Sequence, residues 1–118
     1  MKFMLMCCTD EKKFADMPKS EVQAIMEETF AYCEALHRNG TLILSEALEP
    51  VDMATTVRVR NGKLSTTDGP FAETKEQFGG FFLINARDLN EAIQIASKFP
   101  SVRTGSMEVR PVMELERK

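Results

Sequence analysis

The stretch "ATTVRVRNGKLSTTDG", Ala54 to Gly69, decides the fold of this chain. Two β-rich runs flank Asn61-Gly62, the pair that a two-residue type I′ turn needs because both central positions take a positive φ. The stretch is predicted as a β-hairpin. Thr56, Arg58 and Arg60 share one face, and Thr55, Val57 and Val59 share the other.

Working outward, the elements on either side fall into order. "KFMLMCC" near the start alternates Phe3, Leu5 and Cys7 against Met4, Met6 and Cys8. Both sides are apolar, which predicts a central strand covered on both faces. "TDEKKFADMPK" reads as a polar loop with Phe14 and Met17 as anchors. A long helix follows, with Ser20 and Gln23 as a capping box after Pro18. Its stripe is Val22, Ile25, Met26, Thr29, Cys33 and Leu36, and Asn39-Gly40 ends it. "TLILSEAL" is a strand stopped at Glu49-Pro50.

Beyond the hairpin, "GGFFLINA" is another strand that is apolar on both faces. Asp88 and Glu91 cap a second helix with the stripe Leu89, Ala92, Ile93, Ala96 and Phe99, and Pro100 stops it. "GSMEVRPVMEL" is a last strand, in which Pro111 suggests an edge position or a bulge. With the hairpin set aside, the order is βαββαβ, an α+β ferredoxin-like sheet with an inserted β-hairpin and two helices on one face. The other face needs a cover, and a second copy of the sheet is the simplest one. A homodimer with facing sheets is expected.

At 118 residues the chain is expected to be a single domain, 1–118. Net charge is −3 and the basic residues are scattered, so no field favours nucleic acid or an anionic membrane. The initial apolar run stops at Thr9-Asp10, too short for a signal or a span, which points to the cytoplasm. Three cysteines agree with a reducing compartment. They and the single His37 match no zinc spacing, and no Gly-rich phosphate loop or nucleophile elbow is present. No metal or cofactor is expected.

The run from Thr55 to Ala92 resembles the DGPF branch of the YCII-related family. The resemblance rests on Asp68-Gly69-Pro70-Phe71-Ala72-Glu73-Thr74-Lys75-Glu76. Weaker agreement reaches both ends, through "KFMLM", "ALEP" and "MEVRPVMEL". It implies a dimeric α+β barrel of mostly unassigned molecular function. The wider superfamily it implies includes enzymes acting on small, often ring-derived organic molecules. It also implies a His–Asp pair as a site. Asp68 would be the aspartate, and His37, the only histidine, has no family motif around it to align. The branch's association with extracytoplasmic-function sigma factors implies regulation as an alternative.

Each candidate has a functional and a plain reading. Asp68 is either a general acid/base at a cleft mouth or a turn-fixing carboxylate. Phe71 is expected to plug into the core and pin the loop. Glu73 and Lys75 could reach a ligand; with Glu76 they otherwise form a solvated face. Arg58 could grip a substrate carboxylate or lie on an exposed strand face with Arg60. His37 fits the helix C-terminus as a dipole partner. Gly79-Gly80 marks a bulge or a close backbone approach. Two functions follow: a cofactor-independent enzyme on a small organic molecule with Asp68 as acid/base, or a non-catalytic small-ligand-binding or regulatory module.

Overall fold

The hairpin forms as its residues require. Asn61 takes φ 53° and Gly62 φ 76°, both in the left-handed region that the type I′ turn demands. The computed structural model describes residues 1–116. Its elements are β1 (Lys2–Thr9), α1 (Glu11–Ala15), α2 (Lys19–Arg38), β2 (Leu42–Ala47), β3 (Thr55–Arg60), β4 (Lys63–Asp68), β5 (Gln77–Asn85), α3 (Leu89–Ser97), α4 (Ser101–Thr104) and β6 (Ser106–Pro111), with a 3₁₀ turn at Val51–Met53.

The main sheet has the order β2-β5-β1-β6, and every neighbouring pair is antiparallel. That is the ferredoxin-like arrangement, with β3 and β4 set apart as a separate two-stranded sheet. β6 is an edge strand and ends at Pro111, where a missing N–H costs the sheet least.

One face of the sheet carries the helices. Phe3, Leu5, Leu42 and Ile84 project from it and are buried against Leu36 of α2, Ala92 and Ala96 of α3, and Phe99. Phe99 is fully buried, stacked on Phe82 with ring centroids 4.1 Å apart and edge-on to Tyr32 at 4.7 Å. The Tyr32 hydroxyl donates to the Ile95 carbonyl at 2.7 Å, so the phenol is structural.

The ends of the helices follow from local chemistry. At the end of α2, Gly40 takes φ 80°, its N–H bonds the His37 carbonyl, and the Thr41 N–H bonds the Leu36 carbonyl at 2.9 Å. This is a Schellman closure. Asp88 accepts from the Glu91 N–H at 2.9 Å, while Glu91 reaches back to the Arg87 N–H at 3.0 Å.

Several expectations need correction. The polar loop contains the short helix α1, because Asp10 caps it through the Lys12 N–H at 3.0 Å. The Ser20 capping box does not form. α2 starts two residues earlier, at Lys19 after the Pro18 cap, whose carbonyl takes the Glu21 and Val22 N–H groups. Met26 does not join the core stripe and is 46% exposed, since only the C-terminal half of α2 sits down on the sheet. Phe71 does not plug into the core. It is 81% exposed, because the segment after Gly69 runs over the helix-free side of the sheet.

Gly79-Gly80 does both things expected of it. The β1–β5 register slips between Cys7 and Cys8, opposite Gly79. A Cβ on Gly80 would stand 3.0 Å from the Glu46 carbonyl oxygen. No helix among the described residues is long and apolar enough to cross a membrane.

The molecule is flat, 50 × 47 × 20 Å. Its radius of gyration is 16.4 Å, against roughly 13.5 Å for a compact domain of this length. It exposes 8915 Å² of surface, against roughly 6,400 Å² for a compact monomer of its mass.

Candidate functional site

The helix-free face of the sheet holds a concavity at one end. The ladder sends Met4, Met6 and Cys8 of β1 to this face, level with Arg110, Glu108 and Ser106 of β6 and with Leu83, Phe81 and Phe78 of β5. The slip at Gly79 keeps Phe78 beside Cys8 on this side.

Over the Cys8 end of the sheet lies a cleft of about 790 Å³. Its floor is Met6, Cys8 and Phe78, and its walls include Leu48, Val57 and Phe71. Its polar lining is Glu49, Glu76, Gln77 and Glu108, with Thr55, Thr56 and Thr74. No basic side chain lines it among the described residues.

The connection between β4 and β5 is held in place by side chains bonding to backbone. The Gly69 N–H donates to the Ala54 carbonyl at 2.7 Å, and the Thr56 hydroxyl donates to the Gly69 carbonyl at 2.8 Å. Gln77 accepts from the Glu11 N–H at 3.0 Å and donates to the Thr74 carbonyl at 2.5 Å. Glu11 in turn accepts from the Val51 N–H. The rim is thus tied to both the start of α1 and the 3₁₀ turn.

Two of the cleft acids are held from outside the lining: the Ser106 hydroxyl donates to Glu76 Oε1 at 2.7 Å, and Glu108 pairs with Arg110. Burial, then Cys7, Glu108 and Glu76 as negative neighbours, push the Cys8 thiol above its ordinary value of 9.0. Cys8 therefore stays a neutral thiol near neutrality, the opposite of an activated nucleophile. The carboxylates are the groups that could accept a proton or a hydrogen bond from a ligand.

The residues singled out from sequence are scattered around this cleft. Asp68 ends β4, exposed, opposite Thr55 and on the hairpin face that also carries Val57. Its carboxylate has no hydrogen-bond partner among the described residues, so the turn is fixed by Thr56 and Ala54 instead. Arg58 lies on the other face of the hairpin, facing Ser65 across the ladder. Glu73 and Lys75 are exposed and outside the lining. His37 is exposed in the last turn of α2. That helix covers the opposite face of the sheet, so His37 and Asp68 do not share a site within one chain.

Sequence reasoning missed Glu76, Glu108 and Cys8. Glu76 read as part of a solvated charge run, yet it is half-buried. A signal for Glu108 was present: it is an acid alternating with Met107 and Val109, on the side the helices leave bare.

Fold and cleft define a small α+β protein with an acidic, apolar-walled site on an open sheet face. The YCII-related domain model matches residues 1–116, and the chain belongs to that family. It is 36% identical over 114 residues to an uncharacterized protein of Rhizobium meliloti (strain 1021), covering 95% of this chain and 92% of that one. Among solved structures it is similar to 5-chloro-2-hydroxyhydroquinone dehydrochlorinase of Burkholderia phenoliruptrix AC1100, in complex with 2,5-dihydroxybenzoquinone. That likeness has a TM-score of 0.49 and 15% identity, over 96% of this chain and 94% of the other.

Proposed function

We propose that the protein is a homodimer that binds a small, largely apolar organic molecule in the cleft over Cys8. The ligand is neutral or cationic and offers a hydroxyl or other donor to Glu76 and Glu108. The observation that carries this reading is the lining itself: apolar walls, three carboxylates and, among the described residues, no basic group. A ligand carboxylate would meet the like charge of Glu49 and Glu76 there, which no basic side chain offsets; Glu108 is paired with Arg110. This replaces Arg58 as the expected anchor.

Proton transfer is the chemistry such a site can perform with its own side chains. Glu76 is the better placed acid/base, since Ser106 orients it over the floor. Asp68 is assigned a lesser part at the rim, beside Thr55.

The dimer is supported by surface. The exposed area exceeds the compact-monomer expectation by roughly 2,500 Å², within what an obligate homodimer buries per chain. Leu44 at 50% and Phe78 at 42% exposure lie on the uncovered sheet face. We further assign the chain to the DGPF branch, on Asp68–Phe71, as a single cytoplasmic domain.

A panel of monocyclic hydroxy compounds and their carboxylate analogues tests the site by ligand-observed NMR. Neutral hydroxylated rings should bind and the carboxylates should not. Glu76→Gln and Phe71→Ala should each weaken binding while leaving the melting temperature near wild type, because Phe71 holds no core contact. Preferential binding of carboxylates would refute the assignment. Bound compounds that are never turned over would make the protein a ligand-binding module instead of an enzyme.

A further inference from the structure

The hairpin is a free arm. β3 and β4 pair only with each other, and a lone two-stranded ribbon is marginal in water. One of its faces is apolar: Val57, Val59 and Leu64 are 61%, 59% and 69% exposed. The other face is basic, with Arg58, Arg60 and Lys63, none of which has a carboxylate partner among the described residues. Both long edges of the ribbon are unpaired.

The C-terminal segment has the complementary pattern. Val112–Glu116 lies outside any helix or strand, and Met113 and Leu115 are 78% and 81% exposed. Between and after them stand Glu114 and Glu116, so in extended form the segment has an apolar side and an acidic side. Laid along the hairpin edge, Met113 and Leu115 would extend the Val57–Val59 face, and Glu114 and Glu116 would meet Arg58 and Arg60.

A chain cannot make this contact with its own arm in the arrangement it adopts. β6 leaves the cleft end of the sheet at Ser106, opposite Cys8, and runs to Pro111, opposite Phe3. Its continuation bonds Lys2 through the Val112 N–H at 2.9 Å. The root of the arm, Ala54–Val57, lines the cleft at the Cys8 end. The tail therefore departs at the end of the sheet opposite the root of the arm. A two-fold axis perpendicular to the strands would reverse one copy relative to the other and bring each tail toward the partner's arm, twice.

We propose that residues 113–116 of one copy add as a third strand to the β3–β4 hairpin of the second copy. The clasp rests on the dimer reading above and adds to it a specific contact. Because Thr55, Thr56 and Val57 line the cleft, the clasp also fixes one wall of the ligand site from the other subunit.

Sedimentation equilibrium on the full chain tests this with a charge reversal and its rescue. Arg58→Glu with Arg60→Glu should raise the dimer dissociation constant about tenfold or more, since two cross-strand pairs become repulsive. Adding Glu114→Arg and Glu116→Arg should return it close to wild type. Hydrogen exchange should show protected amides in 113–116 of the wild-type dimer and loss of that protection in the reversed variant, while the Val112 amide, bonded to Lys2 of its own chain, stays protected in both. A wild-type dimer that is indifferent to the reversal, or a reversal that the second pair does not rescue, overturns the clasp and leaves the dimer standing. A monomeric wild type overturns both.

Discussion

Gly105, at the junction of α4 and β6, ties the fold to the cleft. Its N–H donates to the Ser101 carbonyl at 2.8 Å, and it backs directly onto β1. A Cβ placed there would fall inside contact distance of the Cys8 carbonyl oxygen, 2.9 Å from Thr9 Cγ2 and 3.2 Å from Thr9 Cα. The Cys8 oxygen and Thr9 Cα belong to the backbone, so no side-chain rotation relieves the clash. Gly105→Ala must part β1 from β6 at the end where Cys8, Ser106 and Glu76 meet. Overpacking of this kind costs about 1–3 kcal/mol. With an unfolding entropy near 2.1 cal/mol/K per residue, the melting temperature should drop by about 4–12 °C. Gly79→Ala is the matched control. It lies in β5, on the other side of β1, with no atom within 4 Å of its added Cβ, and should melt within about 2 °C of wild type or slightly above. Calorimetry at one fixed protein concentration compares the two, since any self-association makes the midpoint concentration-dependent. Equal midpoints for the two variants would refute the packing argument.

Phe99→Ala removes the ring on which Phe82 and Tyr32 rest, and should destabilise by about 3–5 kcal/mol in urea titration. Burial holds the Cys33 thiol above its ordinary 9.0; burial and then Cys33 raise Tyr32 above 10.0; and Cys8 is raised as described. For groups raised on folding, the stabilisation is complete below the unfolded pKa and is lost as pH rises through the folded one. The melting temperature should therefore hold steady up to about pH 9 and fall above it, and Cys33→Ala should make that fall shallower. Glu28 accepts both Arg103 guanidinium nitrogens at 3.0 Å across α2 and α4. Glu28→Gln should lower the melting temperature slightly at low salt and not at 1 M NaCl, because the pair is solvent-exposed and screened.

The hairpin, the strand order and the ferredoxin-like class were legible because each depends on short-range rules. Asn61-Gly62 admits one tight turn, and period-2 alternation in "KFMLMCC" marks a two-faced strand. The Asp88–Glu91 cap was equally local. The failures were also physical. The Ser20 cap lost to a helix that starts two residues sooner on the Pro18 carbonyl. Met26 satisfied the helical period, but α2 diverges from the sheet before the stripe reaches it. Phe71 looked like a core residue from its chemistry alone, and its backbone carries it over the face that has no helix.

What the sequence by itself determined is the set of elements and their order, since backbone dihedrals and side-chain periodicity are local properties. What only the tertiary structure decided is the site. Cys8, Glu76 and Glu108 are separated by up to 100 residues and meet because β1, β5 and β6 are neighbours in one register. The single-residue slip at Gly79 keeps Phe78 on the cleft side with Cys8. A one-residue change of register reverses every side chain of a strand; Gly79-Gly80 marked where the ladder could slip, and the pairing of β5 with β1 decided which side chains the slip brings together.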